Sequence, residues 1–192
     1  MWKDFMIYTK RILWLLIITS AATLFAQSPA TPKKAEVCTE EDYAIFTAAL
    51  NDRFVKQKPD KVVLRDDTSE GRSLLMSPMA EAPLGPDVSQ DAKEDFDSRN
   101  QSHAKIEAEK IKAPFEVVLL SAEEFRQQLA NGGGYDITFV SLPGLNAVHN
   151  RALLSVGTSY GVAEEGGVVI LLEKDDSGWK VLRELFSSHD ID

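Results

Sequence analysis

One cysteine, Cys38, stands in a chain of 192 residues, so no disulfide forms within it and no cysteine cluster holds a metal. Ala35, Glu36 and Val37 precede Cys38 well past the end of the apolar run, which excludes a lipid-anchor cysteine. A lone thiol is then either incidental or a crosslink to another chain, and only Lys33 and Lys34 lie near enough in sequence to activate it. Histidine is almost as scarce: His103, His149 and His189 have no second histidine at ligand spacing, and His-Glu-x-x-His is missing, so no metal site is expected. Gly-x-Ser-x-Gly is also missing, and Ser141, Ser155 and Ser159 sit in or beside strand-like runs without the sharp elbow a nucleophilic serine needs.

Positive charge is short as well. The formal net charge is −9, and such a surface repels phosphate-rich partners, which argues against nucleic acid and against an anionic membrane surface. No apolar run reaches the roughly 20 residues of a bilayer span. The longest, Ile12 to Ala26, follows Lys3, Lys10 and Arg11 and ends in small residues, the layout of a secretory signal peptide. Cleavage is expected after Ala26, leaving Gln27 first, with Ala22 as the alternative; an uncleaved inner-membrane anchor is the competing reading. Loss of residues 1–26 takes the net charge from −9 to −11 and leaves 166 residues, enough for one domain, exported to a periplasm or secreted, with no membrane contact after cleavage.

What is present reads as a linker and one α+β domain. Residues 27–38 hold two prolines and no apolar period, as a flexible lead-in does. The domain spans 39–192. Thr39 suits a helix N-cap, Glu40, Glu41 and Asp42 suit the positive end of the dipole, and Tyr43, Phe46, Leu50 and Phe54 follow at helical spacing. Lys61 to Asp66 reads as a strand, Gly71 to Asp87 as an irregular connection, and Ser89 to Ser102 as helical around Phe96. Phe115 to Leu120 reads as a strand, and Ser121 with Glu124 as a capping box for a short helix that Asn131 to Gly134 stops. Four more strands are expected, Asp136–Leu142, Arg151–Tyr160, Gly167–Lys174 and Trp179–Phe186. Val168 to Leu172 is apolar throughout, the mark of a strand covered on both faces, and the short turn Lys174 to Gly178 demands antiparallel neighbours. The expected fold is an N-terminal helix and a mainly antiparallel sheet of about five strands, with helices on one face.

Candidate chemistry is thin. Gly161, Gly166 and Gly167 lead into a strand, with Glu164 and Glu165 among them, so they suit a hairpin connection with positive φ better than a phosphate cradle. Asp66, Thr68, Glu70 and Gly71 fall on calcium-loop positions, but Ser77 stands where the bidentate glutamate belongs, leaving a solvated acidic turn. His149, crowded by Asn146, Asn150 and Arg151, reads first as a polar turn. Trp179, in period two with Val181, reads as core before it reads as a stacking platform.

The segments VLRDDT (63–68), SLPGLN (141–146), ALLSVG (152–157) and GVVILLEKDDSGWKV (167–181) resemble an uncharacterised family of small exported bacterial proteins. Two features depart from it: the region Gly157 to Gly167 has no cysteine, and Leu145 stands where an aromatic precedes the asparagine. The last hairpin, with its tryptophan after glycine, is also similar to the closing strands of NTF2-like domains, a likeness of fold alone. The resemblance implies an exported domain and carries no catalytic residue. The expected function is a non-enzymatic module that binds a protein, an envelope component or a small molecule, without a cofactor, through a rim of Tyr160, Glu164, Glu165, His149 and Asn146. A hydrolase-type enzyme using His149 with Asp136 is the alternative.

Overall fold

Helix α1 (Glu40–Phe54) begins as its sequence demands. Thr39 Oγ1 accepts the Asp42 N–H at 3.2 Å, Asp42 Oδ2 accepts the Thr39 N–H at 2.7 Å, and this reciprocal pair closes the first turn. The computed structural model describes residues 37–68, 85–130, 136–160 and 165–187. The expected leader and most of the linker, the glycine run 131–134 and Glu164 lie outside them. After α1 come β1 (Lys61–Arg65), α2 (Gln90–Arg99), a 3-10 turn (Ala108–Lys110), β2 (Glu116–Leu120), α3 (Ala122–Ala130), β3 (Asp136–Val140), β4 (Gly144–Leu145), β5 (Arg151–Tyr160), β6 (Glu165–Asp175) and β7 (Gly178–Ser187).

The sheet has seven strands in the order β2-β1-β3-β5-β6-β7, with β4 also beside β5. It is mixed, which corrects the expectation of a mainly antiparallel sheet of about five strands. β1 runs parallel to both β2 and β3, while β3, β5, β6 and β7 follow antiparallel. The physical reason lies in the connections. α2 occupies the link from β1 to β2, and α3 the link from β2 to β3, the crossovers that parallel neighbours require.

Helices cover both faces, not one. Val62, Leu64, Val140, Ala152, Leu154, Val156, Ile170 and Leu172 are buried, and all but Val62 belong to the core cluster that contains Tyr43, Ile45, Phe46, Ala49 and Leu50 of α1. Leu153 and Leu171, one residue out of phase, pack instead on Ala92 and Phe96 of α2. Alternate side chains of a strand point to opposite faces, so the uniformly apolar β6 is served by one helix on each side.

α2 is locked onto the segment 141–147. Asp91 and Asp95, one turn apart, accept the Ala147 and Leu145 N–H groups at 2.7 and 2.8 Å. Arg99 donates to the Pro143 carbonyl, and the buried Asn100 amide pairs with both the N–H and the C=O of Leu142, standing in for a neighbouring strand. Gly144 crosses the helix so closely that a Cβ there would lie 2.3 Å from the Phe96 Cβ and 2.5 Å from the Ala92 carbonyl. On the strand side, Gly157 leaves room for the Phe139 ring of its cross-strand partner, which would overlap any Cβ. Gly166 and Gly167 are strand residues paired with Thr158 and Gly157, so they lie within the β5–β6 ladder and not at the tip of a hairpin turn.

Arg99 also makes a bidentate ion pair with Asp42, both bonds 2.9 Å, and the Asp42 side chain is wholly buried. Asp42→Ala leaves the guanidinium without its carboxylate, and a loss of about 3–5 kcal/mol is expected. Gly144→Ala is expected to cost about 1–3 kcal/mol through the collision with α2. Urea unfolding of both variants against the parent checks these values.

Candidate functional site

The expected site residues fall at opposite ends of β5. His149 and Asn146 precede its first residue, whereas Tyr160 closes it, with its backbone opposite Asp136, and Glu165 opens β6 opposite Ser159. Ten extended residues span roughly 30 Å, so His149 and Asp136 cannot act on one substrate. The acid beside His149 is a different one: Glu41 Oε2 lies 2.7 Å from its Nδ1, and Lys174 reaches the other Glu41 oxygen at 2.7 Å. His149 is exposed, with 58 % of its side chain open to solvent, Glu41 is half-buried, and neither lines the two clefts described below. Burial raises the Glu41 pKa, but the hydrogen bonds from His149 and Lys174 outweigh it and hold the carboxyl below its ordinary value.

Asn146 builds the turn. Its Oδ1 accepts the N–H groups of Asn150 and Arg151 at 3.0 Å, and its carbonyl accepts the His149 N–H at 2.9 Å. The turn places His149 at φ +53°, a region that histidine tolerates better than most side chains. Ser141 and Ser155 are buried and bonded to each other through Oγ and backbone, which accounts for them structurally. Asp66 and Asp67 are not a freely solvated turn either, since they pair with Lys105 and Arg65 at 2.6 Å. Thr68 is buried, its Oγ1 accepting the Ala104 N–H, and His103 Nδ1 contacts its carbonyl. Burial pushes the Cys38 thiol up to about 11, helped by the Asp42 carboxylate, so the thiol is protonated and inert at neutral pH.

The concave site lies where the sequence drew less attention. At the C-terminal end of α1 a cavity of about 600 Å³ opens between the helix and the starts of β1 and β3, the end of β5 and the start of β6. Its floor is apolar, formed by Val62, Val156, Val168 and Ile170 on the sheet with Ala49 and Phe54 from the helix. Two buried threonines, Thr138 and Thr158, interrupt that floor as direct cross-strand partners. Arg53, half-buried in the last turn of α1, donates from Nη2 to Thr158 Oγ1 at 3.2 Å. Around the mouth, Lys56 and Lys61 face Asp52, Asp136 and Glu184, all five exposed. Asp136 is thus a rim residue of this cleft.

A second groove of about 320 Å³ runs along the other side of α1, between Tyr43, Thr47 and Asn51 and the half-buried Trp179. Trp179 packs against the core with Val181, as its period-two position predicts, and Lys174 lies 5.5 Å above its ring. Among the described residues no group of three or more histidine, cysteine, aspartate or glutamate side chains is placed to hold a metal ion, and no helix is long and apolar enough to cross a membrane. No family model matches the chain, and neither the curated proteins nor the solved structures searched contain a match.

Neither the cleft nor its arginine was singled out from sequence. A cation in the last turn of a helix has an ordinary structural role, and valines in strands suit a core, so neither stands out in sequence. The His149–Glu41 contact has a measurable signature. In His149→Ala the Glu41 carboxyl is expected to titrate closer to the ordinary glutamate value, read from its side-chain carbon shift by NMR. Because the folded pKa is the lowered one, the stabilisation is complete above the unfolded pKa and is lost as pH falls through the folded value.

Proposed function

We propose that the protein is an exported, non-enzymatic binding domain whose ligand is a small amphipathic molecule held in the cleft beneath the C-terminal end of α1. The observation that carries this reading is the cleft's composition, an apolar floor of four sheet side chains with Arg53 and two threonines set into it. Small-molecule sites are concave and mostly apolar, with a few placed polar groups that fix orientation. The volume of about 600 Å³ falls in the range of such sites. Export rests on the leader-like N-terminus and on the resemblance carried by SLPGLN and the last hairpin.

Binding is favoured over catalysis by the distribution of the polar groups. An acid–base or nucleophilic mechanism needs an activated group within hydrogen-bond reach of its partner inside the pocket. Among the described residues that line the cleft there is no histidine, cysteine or serine, and the carboxylates sit at the exposed rim. The His149–Glu41 contact lies outside this cleft, with His149 facing solvent.

Val168 is half-buried on the cleft floor, and Val168→Trp fills the space a ligand would take. Native mass spectrometry of protein purified from its own compartment is expected to show a bound small molecule that the variant loses while remaining folded. A parent protein that carries none, and that takes up no apolar dye which Val168→Trp excludes, contradicts the reading; so does turnover of an ester, glycoside or peptide that a single substitution abolishes.

A further inference from the structure

The charge layout of the cleft narrows the ligand further, on the assumption that the cleft is a binding site at all. Six charged side chains line it, three of each sign, but they do not lie at one depth. Lys56, Lys61, Asp52, Asp136 and Glu184 are exposed, where water screens them and each contributes little. Arg53 alone is drawn inward over the valine floor. Among the described residues its single side-chain partner is a neutral hydroxyl, Thr158 Oγ1, and it makes no ion pair with any of them. A half-buried guanidinium bonded to a hydroxyl keeps most of its five donors in hand, and donors of that kind bind a carboxylate in a planar, two-pronged geometry.

We infer that the ligand is a monocarboxylate with an apolar body, its carboxylate on Arg53 beside the Thr138–Thr158 pair and its body on Val62, Val156, Val168 and Ile170. A singly charged head fits better than a phosphate. Arg53 belongs to the last turn of α1, so the negative end of the helix dipole also faces this end of the cleft and opposes a second negative charge. Among the described residues no helix N-terminus lines the cleft to supply the free backbone amides that phosphate sites use. Thr158 takes one donor, from Nη2, which restrains the plane of the fork and leaves the other donors for a ligand.

Calorimetric titration of the purified protein with octanoate, octanol, octylamine and octyl phosphate tests this. Octanoate is expected to bind at least about tenfold more tightly than octanol, the worth of a charge-assisted hydrogen-bond pair. Octyl phosphate should bind no better than octanoate, and octylamine more weakly than octanol. Arg53→Gln should bring octanoate down to the octanol level without altering octanol itself. Thr158→Val should weaken octanoate alone, and Val168→Trp should remove both. Equal binding of octanoate and octanol, or an octanoate preference that survives Arg53→Gln, overturns the carboxylate assignment while leaving the cleft as a binding site. A tenfold preference for octyl phosphate overturns it as well. If none of the four binds, or if Val168→Trp changes nothing, the cleft itself fails, and the carboxylate assignment with it.

Discussion

A carboxylate with no solvent exposure must be compensated where it lies, and Asp42 is such a carboxylate. It accepts the Thr39 N–H and both prongs of the Arg99 guanidinium, so every strong donor near it comes from a fixed element. Arg99 then passes a third hydrogen bond to the Pro143 carbonyl. One ion pair therefore ties the first turn of α1, the last turn of α2 and the break between β3 and β4. Helices on opposite faces of the sheet are pinned to each other past the end of β3, and the α2 side chains that hold 142–147 are pinned with them.

This constraint explains why the two ends of the domain differ. At the Asp42 end α1 is closed down: Tyr43 and Phe46 are buried, and Asn100 completes the hydrogen bonding of Leu142. The usual crevice of an open α/β sheet, at the C-terminal ends of its parallel strands, lies toward this end, where Asp66, Asp67 and Lys105 meet and the α2 clamp is seated. At the far end α1 has only the Arg53–Thr158 hydrogen bond to the sheet among the described residues, and the space between them is left as the cleft. The opening falls at the starts of β1 and β3, set by where the helix is fastened.

Much of the fold was legible because its signals are local. Thr39 with its acidic followers, Ser121 with Glu124, and the apolar runs of β5 and β6 each state their structure within a few residues, and the observed bounds agree closely. Strand direction was not local. The order strand, helix, strand, helix, strand from Lys61 to Val140 is the pattern of parallel crossovers, but the short hairpin at Asp175 drew the reading toward an antiparallel sheet. Asp42 and Arg99 lie 57 residues apart, and nothing in either neighbourhood announces the other. SLPGLN was noticed as a motif, and its glycine and asparagine prove to serve close helix packing and a turn. The candidate site was not legible in the sequence: Asp136, named there only as a partner for His149, lies on its rim. Its floor is made of valines that any sequence pattern assigns to the core, and its one inward charge sits where helices ordinarily place a cation.

The most direct measurement is a map of amide shifts in 15N-labelled protein on titration with octanoate, because the two ends of β5 carry the competing sites. Saturable shifts at Arg53, Val62, Thr138, Thr158, Val168 and Ile170, with Asn146 to Arg151 unmoved, are expected if the cleft under α1 is the ligand site. Shifts concentrated at His149, Asn146 and Glu41, with the valine floor silent, would contradict it.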